Sequence, residues 1–120
     1  MRLSNIELGR MGEERVVAYV QKHGHTIIDR NWRVREGEID IVSMDQRCVL
    51  HFIEVKTRTS IAYGHPFEAI NREKAHRLQK LALAWLATHG ALAQEYSIDV
   101  AALLVQSDGE LKLEIRENVL

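Results

Sequence analysis

The first part of the chain carries apolar residues at helical spacing. Val16, Val17 and Val20 form one apolar stripe within residues 6–23. Gly24 follows at the position where a helix commonly ends. The pattern therefore predicts an amphipathic helix over residues 6–23.

The next segment predicts three strands. A short apolar run at residues 26–28 is a candidate first strand, and the polar and basic residues 29–37 that follow are expected to form a loop. Residues 38–44 alternate polar and apolar side chains, which is typical of a strand with one buried face. After a turn at residues 45–47, the more apolar residues 49–56 suit a strand at the centre of a sheet.

The second half predicts a loop, a long helix and two more strands. The loop covers residues 57–66 and holds the one proline of the chain, and the helix covers residues 67–89 before Gly90. The apolar stripe of this helix consists of Ile70, Leu78, Leu81, Ala82 and Trp85. Strands are predicted at residues 97–105 and 111–116. The resulting order is helix, three strands, helix, two strands, which is an α/β fold.

Composition indicates an ordinary globular protein. The chain has 120 residues, of which 46% are hydrophobic and 28% are charged, so residues 1–120 are expected to form a single domain. Residues 1–10 lack the apolar core of a secretion signal, and no run approaches the roughly 18 apolar residues of a membrane span. A cytoplasmic protein without membrane contact is expected. Cys48 is the one cysteine, which excludes an internal disulfide and a cysteine zinc site.

The charge of the chain leaves its partner open. The formal net charge is −1, which argues against a protein that binds nucleic acid over its whole surface. A metal site would itself gather carboxylates and lower this sum. Many basic residues lie in the middle of the chain, namely Arg30, Arg33, Arg35, Arg58, Arg72, Lys74, Arg77 and Lys80.

Candidate chemistry begins at Glu54 and Lys56. Residues two apart in a strand point to the same side, so both should share a face with Leu50 and Phe52, while Ile53 faces the other way. A carboxylate and an ammonium group then end an apolar row. Taken alone, this pattern is better explained by a charge pair where the strand leaves the core.

Asp40 on the preceding strand changes this picture. A hairpin turning at Gln46 and Arg47 would put Asp40 opposite Ile53 and diagonal to Glu54, within roughly 5–8 Å. A small bulge or a one-residue change in the turn would bring both carboxylates to one face. Two carboxylates that close repel each other unless a cation lies between them, and Mg²⁺ commonly takes one or two protein carboxylates. A salt-bridge cluster with Lys56 is the alternative.

Two further charged residues lie on apolar helix faces. Glu13 precedes the stripe of the first helix at helical spacing, so it should face the sheet and need a partner there. Its neighbour Glu14 is the competing choice for this role. The other interpretation is that Glu13 stays in solvent in the first turn of the helix, where the helix dipole favours an acidic residue. Lys74 lies four residues from both Ile70 and Leu78, so it either extends its ammonium to solvent or contacts a phosphate.

Several strings of this sequence resemble one known family. They are Gly12-Glu13, Asn31-Trp32-Arg33, Gly37-Glu38-Ile39-Asp40 and Phe52-Ile53-Glu54-Val55-Lys56-Thr57-Arg58, followed by Gly64 and Lys74. Over about residues 9–105 the chain resembles the YraN-like family, catalogued as UPF0102. That family is similar to the archaeal Holliday-junction resolvases of the PD-(D/E)xK nuclease superfamily. Ser97-Ile98 departs from the Arg-Phe that is more typical there.

The resemblance implies a restriction-endonuclease-like fold, a small mixed sheet flanked by helices. It implies that Glu13, Asp40 and Glu54 bind metal and that Lys56 orients or activates the attacking water. Resolvases act as two-fold dimers, so a homodimer is expected.

The corresponding hypothesis is a metal-dependent endonuclease acting on DNA, including branched DNA. Mg²⁺ or Mn²⁺ would be held by Asp40, Glu54 and the carbonyl of Val55 and would promote hydrolysis of a phosphodiester. Candidates for phosphate contacts are Arg33, Arg58 and Lys74. The alternative is a nucleic-acid-binding or protein-interaction module that keeps the nuclease fold and does not cut.

Overall fold

The computed structural model describes residues 3–59 and 71–120. Within these ranges the elements are α1 (Asn5–Lys22), β1 (Thr26–Val34), β2 (Gly37–Met44), β3 (Leu50–Arg58), α2 (Arg72–Thr88), β4 (Tyr96–Val105) and β5 (Leu111–Arg116). The predicted α/β class and the predicted order of helices and strands are confirmed.

The strands form one five-stranded sheet in the order β1-β2-β3-β4-β5. β3 and β4 are parallel, and the other neighbouring pairs are antiparallel. The sheet is therefore mixed, with α2 in the connection between its parallel strands. The central position predicted for residues 49–56 is confirmed, since β3 is the middle strand.

The two helices pack on opposite faces of the sheet. α1 contributes Val16, Val17 and Val20 to a core cluster that contains Ile41 and Ile53. On the other face, the cluster packed around α2 is made of Ile39, Val42, Leu50, Phe52, Leu78, Leu81, Ala82, Trp85, Leu86 and Ile98. The alternation predicted for β3 is confirmed, because its consecutive apolar side chains enter different clusters.

The first strand is longer than its apolar run predicts. β1 extends through Val34, so the loop predicted for residues 29–37 is wrong over most of its length. β1 is an edge strand of the sheet, and half of its residues are exposed, which is why polar and basic side chains are tolerated there. Trp32 and Val34 nevertheless pack against the α2 cluster.

The segment between β3 and α2 is only partly described. Thr57 and Arg58 belong to β3 and not to the predicted loop, because they continue the pairing with β4. Thr59 is the last described residue of the predicted loop. Residues 60–66 of that loop and residues 67–70 of the predicted helix, which include Ile70, lie outside the described residues. The other members of the predicted stripe, Leu78 to Trp85, are buried as expected.

Neither helix of the described residues combines the length and the apolar character needed to cross a membrane.

Candidate metal centre

β2 and β3 separate beside Asp40. Their pairing runs from Met44↔Leu50 to Ile41↔Ile53. The predicted pairing of Asp40 with Ile53 is therefore wrong by one residue. The cause is the connecting loop, in which the Asp45 carboxylate accepts the backbone N–H groups of Arg47 and Val49 and so closes a longer turn than a two-residue hairpin.

Both β1 and β2 change face at this point. Ile39 packs in the α2 cluster and Ile41 in the α1 cluster, although residues two apart in a regular strand share a face. In the β1–β2 pairing, Asn31 falls opposite Asp40, between the pairs Arg30↔Ile41 and Trp32↔Ile39. Asn31 has a φ of 51°, in the left-handed region that asparagine tolerates better than most residues. The two-carboxylate hypothesis named a bulge or a one-residue change in the turn, and the structure has both the displaced β2–β3 pairing and an irregularity beside Asp40.

Asp40 lies within the sheet rather than on one face of it. Its Oδ2 accepts the backbone N–H of Val55 at 2.8 Å, in the place where a strand partner would otherwise be. Burial raises the pKa of Asp40 to about 7 against the effect of this hydrogen bond, and the nearby carboxylates of Glu13, Glu54 and Glu38 raise it further. Carboxylates from α1, β2 and β3 therefore converge on Asp40, and without a cation their charges oppose its ionisation.

The two carboxylate oxygens of Glu54 differ in their contacts. Its Oε1 is 3.4 Å from Nζ of Lys56, and the two side chains are 18% and 24% exposed. Its Oε2 is buried and has no hydrogen-bond partner in the part of the chain that the structure describes. A buried carboxylate oxygen without a partner is costly, so this atom fits a position for a cation.

Glu13 and Glu14 have different surroundings. Asn31 donates its Nδ2 to Oε1 of Glu13 at 2.7 Å and also contacts Glu38 at 3.1 Å. Glu14 forms an ion pair with Arg30 at 2.7 Å, and its side chain is 66% exposed. Of the two carboxylates that the sequence left open, Glu13 is the one close to Asp40.

A close helix–strand contact positions Glu13. A Cβ added at Gly12 would lie 2.1 Å from Oγ1 of Thr57, so only glycine lets α1 approach β3 this closely. The next residue on the helix is Glu13. The Gly12-Glu13 string therefore combines a packing requirement with a carboxylate.

Two cavities meet at these carboxylates, and Glu13 and Asp40 line both. The larger, of about 1040 Å³, includes Arg33, and the smaller, of about 430 Å³, includes Lys56 and Arg58 together with Val55. Lys74 lies elsewhere, in a groove along α2. Two of the three predicted phosphate contacts therefore adjoin the carboxylates, and Lys74 does not.

Asn31 and Glu38 belong to this centre and were given no role by the sequence. Asn31 links two carboxylates, and Glu38 also forms an ion pair with Nε of Arg33 at 3.3 Å. The position of Glu38 two residues before Asp40 in an alternating strand was an available signal. Asn31 stood in the sequence only as part of the Asn31-Trp32-Arg33 string of the family resemblance, because its role depends on a backbone irregularity.

The carboxylates are not packed tightly together. In the described residues, the one group of three metal-ligating side chains whose ligand atoms all lie within 4.8 Å is His51, Asp99 and Glu117. At least one pair among Glu13, Asp40 and Glu54 is therefore more than 4.8 Å apart. Such a spacing leaves room for water between an ion and some of its carboxylates, which is how Mg²⁺ is usually held.

The His51 group has its own explanation. Nδ1 of His51 lies 2.6 Å from Asp99 Oδ2, and Nε2 lies 2.9 Å from Asp45 Oδ2. The hydrogen bond to Asp99, followed by that to Asp45, raises the pKa of His51 to about 9 against the effect of burial. A protonated His51 thus pairs with two aspartates and offsets one of their two charges, and both of its ring nitrogens are in use. No pattern in the sequence predicted this cluster of His51, Asp99 and Asp45.

The sequence comparisons identify the family of the chain. The Uncharacterised protein family UPF0102 matches residues 12–103. A UPF0102 protein of Arthrobacter sp. (strain FB24) is 47% identical over 107 residues, which cover 89% of this chain and 90% of that protein. A UPF0102 protein of Renibacterium salmoninarum is 41% identical over 111 residues, covering 92% and 93%. The chain belongs to the UPF0102 family, as its motifs predicted.

Two solved structures are distantly similar to this chain. One is a repair endonuclease from Pyrococcus abyssi, with a TM-score of 0.43 and 17% sequence identity. The other is SfsA from Pyrococcus furiosus in complex with Ca²⁺, with a TM-score of 0.37 and 17% identity. The match covers 91% and 88% of this chain but spans only 41% and 59% of those chains.

Proposed function

We propose that this protein is an endonuclease that hydrolyses phosphodiester bonds in DNA with the help of a divalent cation. The observation that carries the proposal is the convergence of carboxylates on Asp40. Glu13, Asp40 and Glu54 come from three elements, and burial together with the charges of Glu13 and Glu54 raises the pKa of Asp40. Among the described residues, one buried oxygen of Glu54 has no hydrogen-bond partner. A charge pair at the end of a strand would not need this arrangement.

The residues present fit Mg²⁺ or Mn²⁺. Oxygen ligands suit these ions, and Asp40 and Glu54 would hold the cation, with Glu13 reaching it directly or through water. The carbonyl of Val55 is a further proposed ligand. When bound, the cation would supply Lewis acidity toward the phosphate and would neutralise the crowded carboxylates.

The chain's own groups have separate tasks in this proposal. Val55 donates its N–H to Asp40 and so fixes one carboxylate oxygen of a residue that lines both cavities. Lys56, held beside Glu54, donates hydrogen bonds to the attacking water or to the phosphate oxygens, where negative charge develops. Arg33 and Arg58 line the same cavities and position the DNA backbone without reading its sequence.

One observation favours a second candidate, a module that binds nucleic acid without cutting it. Glu13, Asp40 and Glu54 do not all lie within 4.8 Å of one another, so the metal site is less compact than the His51 group. Such a module would bind DNA in a manner that does not depend on a divalent ion.

A cleavage assay separates the two candidates. Labelled duplex, single-stranded and four-way-junction DNA would be incubated with the protein and Mg²⁺, Mn²⁺ or EDTA. Products that need the metal and disappear in Asp40→Asn support the nuclease, since the amide still accepts from Val55 but carries no charge. Binding that survives both EDTA and Asp40→Asn, with no product from any DNA, supports the module instead.

A further inference from the structure

The first half of α2 carries a concentration of positive charge. Arg72, Lys74, Arg77 and Lys80 are four cations within nine residues, and Glu73 is the one carboxylate among them. This stretch thus has a surplus of three positive charges in a chain whose formal net charge is −1. His76 adds a further nitrogen base to the same stretch.

These side chains form an exposed surface rather than part of the core. Arg72, His76, Arg77 and Lys80 are exposed, and Lys74 is half-buried. The buried side of the same helix is formed by Ala75, Leu78 and the residues that follow them. Beside the helix lies a groove of about 550 Å³, lined by Asn71, Glu73, Lys74, His76, Arg77 and Lys80.

The distribution of charged residues along α2 does not stabilise the helix. Helices are favoured by acidic residues in the first turn and by basic residues in the last turn. Here Arg72 and Lys74 lie in the first turn and the last turn holds no basic residue, although Glu73 has the favoured sign. The partial positive charge of the helix start adds to the field of the cations, so the whole surface attracts anions.

We infer that this surface, defined by Arg72, Lys74, His76, Arg77 and Lys80, binds the phosphodiester backbone of double-stranded DNA. The inference rests on the proposed function, and it gives the DNA a second region of contact besides the cavities at Asp40. It also gives Lys74 its predicted phosphate contact, at a place separate from the carboxylates.

The length of the surface suits a run of phosphates. Arg72 and Lys80 are eight residues apart, which is about 12 Å along a helix. One strand of a DNA duplex presents a phosphate about every 3.4 Å of its axis, so the surface passes about three or four of them. The four cations Arg72, Lys74, Arg77 and Lys80 are spread along this length, which fits a regular polyanion better than a single bound anion.

The test is fluorescence anisotropy with a labelled DNA duplex in EDTA. EDTA removes divalent cations, so metal-dependent cutting does not occur and binding alone is measured. The variant is Arg77→Ala/Lys80→Ala, and the matched control is Arg15→Ala/Arg47→Ala, which removes the same charge from exposed residues elsewhere. Alanine is a strong helix former, so the α2 variant should fold, which circular dichroism would check.

We expect the α2 variant to bind about tenfold or more weakly at moderate salt, because two phosphate contacts are lost. The slope of log affinity against log salt should fall in magnitude by about 2, since each lost contact removes about 1. The control should keep the wild-type slope.

Wild-type affinity and slope in the α2 variant overturn the inference, as does an equal loss in both double variants. Absence of wild-type binding to the duplex also overturns it, and tighter binding of an RNA duplex of the same sequence overturns the assignment to DNA. These outcomes concern binding in EDTA, whereas the proposed function fails through missing metal-dependent cleavage. The two failures are therefore distinguishable.

Discussion

At the scale of single residues, Asp40 is the point on which the site depends. It lies where two neighbouring strands change face, and Glu13 and Glu54 reach it from different elements. Burial raises the pKa of Asp40, and the negative charges of the neighbouring carboxylates raise it further. A cation would relieve this repulsion, which is why the crowding is itself a functional signal.

Glu13 and Glu14 provide a matched pair of substitutions. We expect Glu13→Gln to lower the rate of metal-dependent DNA cleavage by about 100-fold, because a group that holds the cation loses its charge. Glu14→Gln removes a largely exposed ion pair with Arg30, so cleavage should change little. Single-turnover cleavage rates at saturating Mg²⁺ measure both. Equal losses in the two variants would show that Glu13 has no special place at the site.

At the scale of elements, the contact between α1 and β3 sets the position of the helix carboxylate. Gly12 is buried against Thr57, whose Oγ1 has no hydrogen-bond partner within residues 3–59 and 71–120. Any side chain at Gly12 must push the helix away from the strand or displace Thr57. The stability of the fold and the geometry of the site are therefore linked through one van der Waals contact.

Gly12→Ala should lower the free energy of unfolding by roughly 1–3 kcal/mol through overpacking, although alanine favours a helix. Adding Thr57→Ala removes the Oγ1 and leaves its Cβ 3.3 Å from the new methyl group, so most of the stability should return. Gly9→Ala is the control, since an added Cβ there meets nothing within 4 Å. Urea unfolding measures all three. A Gly12→Ala protein as stable as Gly9→Ala would disprove the close contact.

Sequence patterns predicted the elements well and their irregularities poorly. The stripe of α1 and the alternation of β3 appear in the structure, because burial on one face imposes a period on the sequence. The extension of β1 was missed because an edge strand tolerates polar side chains. The pairing of Asp40 was misplaced by one residue because it depends on the hydrogen bonds of Asp45 in the preceding turn.

In the candidate site too, regular strand spacing was predicted well and backbone irregularity was not. Glu54 and Lys56 were predicted to share a face from the strand period alone, and the structure joins them in an ion pair. The approach of Asp40 to Glu54 required a small bulge or a one-residue change in the turn, and the sequence left both open. The structure shows a β2–β3 pairing displaced by one residue and a left-handed Asn31 opposite Asp40, and no local propensity specifies such a paired irregularity between two strands. The metal and substrate roles of these residues stay predictions.

At the scale of the whole molecule, a buried charge network joins distant parts of the chain. His51 of β3 contacts Asp45 in the β2–β3 loop and Asp99 of β4. Asp99 also accepts from Ser97 and from the backbone N–H of Asn118 near the C-terminal end. The network ties the loop that sets the β2–β3 register to the centre of the sheet. The homodimer, the single domain and the cytoplasmic location stay predictions.

The stability of the protein should therefore depend on the charge of His51. Its pKa is raised to about 9 in the folded state, so its contribution is complete below its ordinary value of 6.5 and is lost as pH rises through about 9. We expect the free energy of unfolding to fall by roughly 1–3 kcal/mol between pH 6.5 and pH 9.5.

Urea unfolding across this range measures the effect. The loss of stability should be much smaller in His51→Gln, which is less stable at pH 6.5 because Asp99 remains buried without its cationic partner. His25 and Glu117 also lie near His51, so both variants Glu117→Gln and His25→Gln serve as controls for neighbouring charges. A wild-type curve that is flat in this range, or a His51→Gln curve of equal slope, would remove His51 as the cause.

The most direct test of the whole account is calorimetric titration of the protein with Mn²⁺ at pH 8, where Asp40 is mostly ionised. Wild-type protein and Glu117→Gln should each bind the ion, and Asp40→Asn should bind it at least about tenfold more weakly. Mn²⁺ binding that is unchanged in Asp40→Asn, or that is lost in Glu117→Gln instead, would contradict a shared cation at Glu13, Asp40 and Glu54.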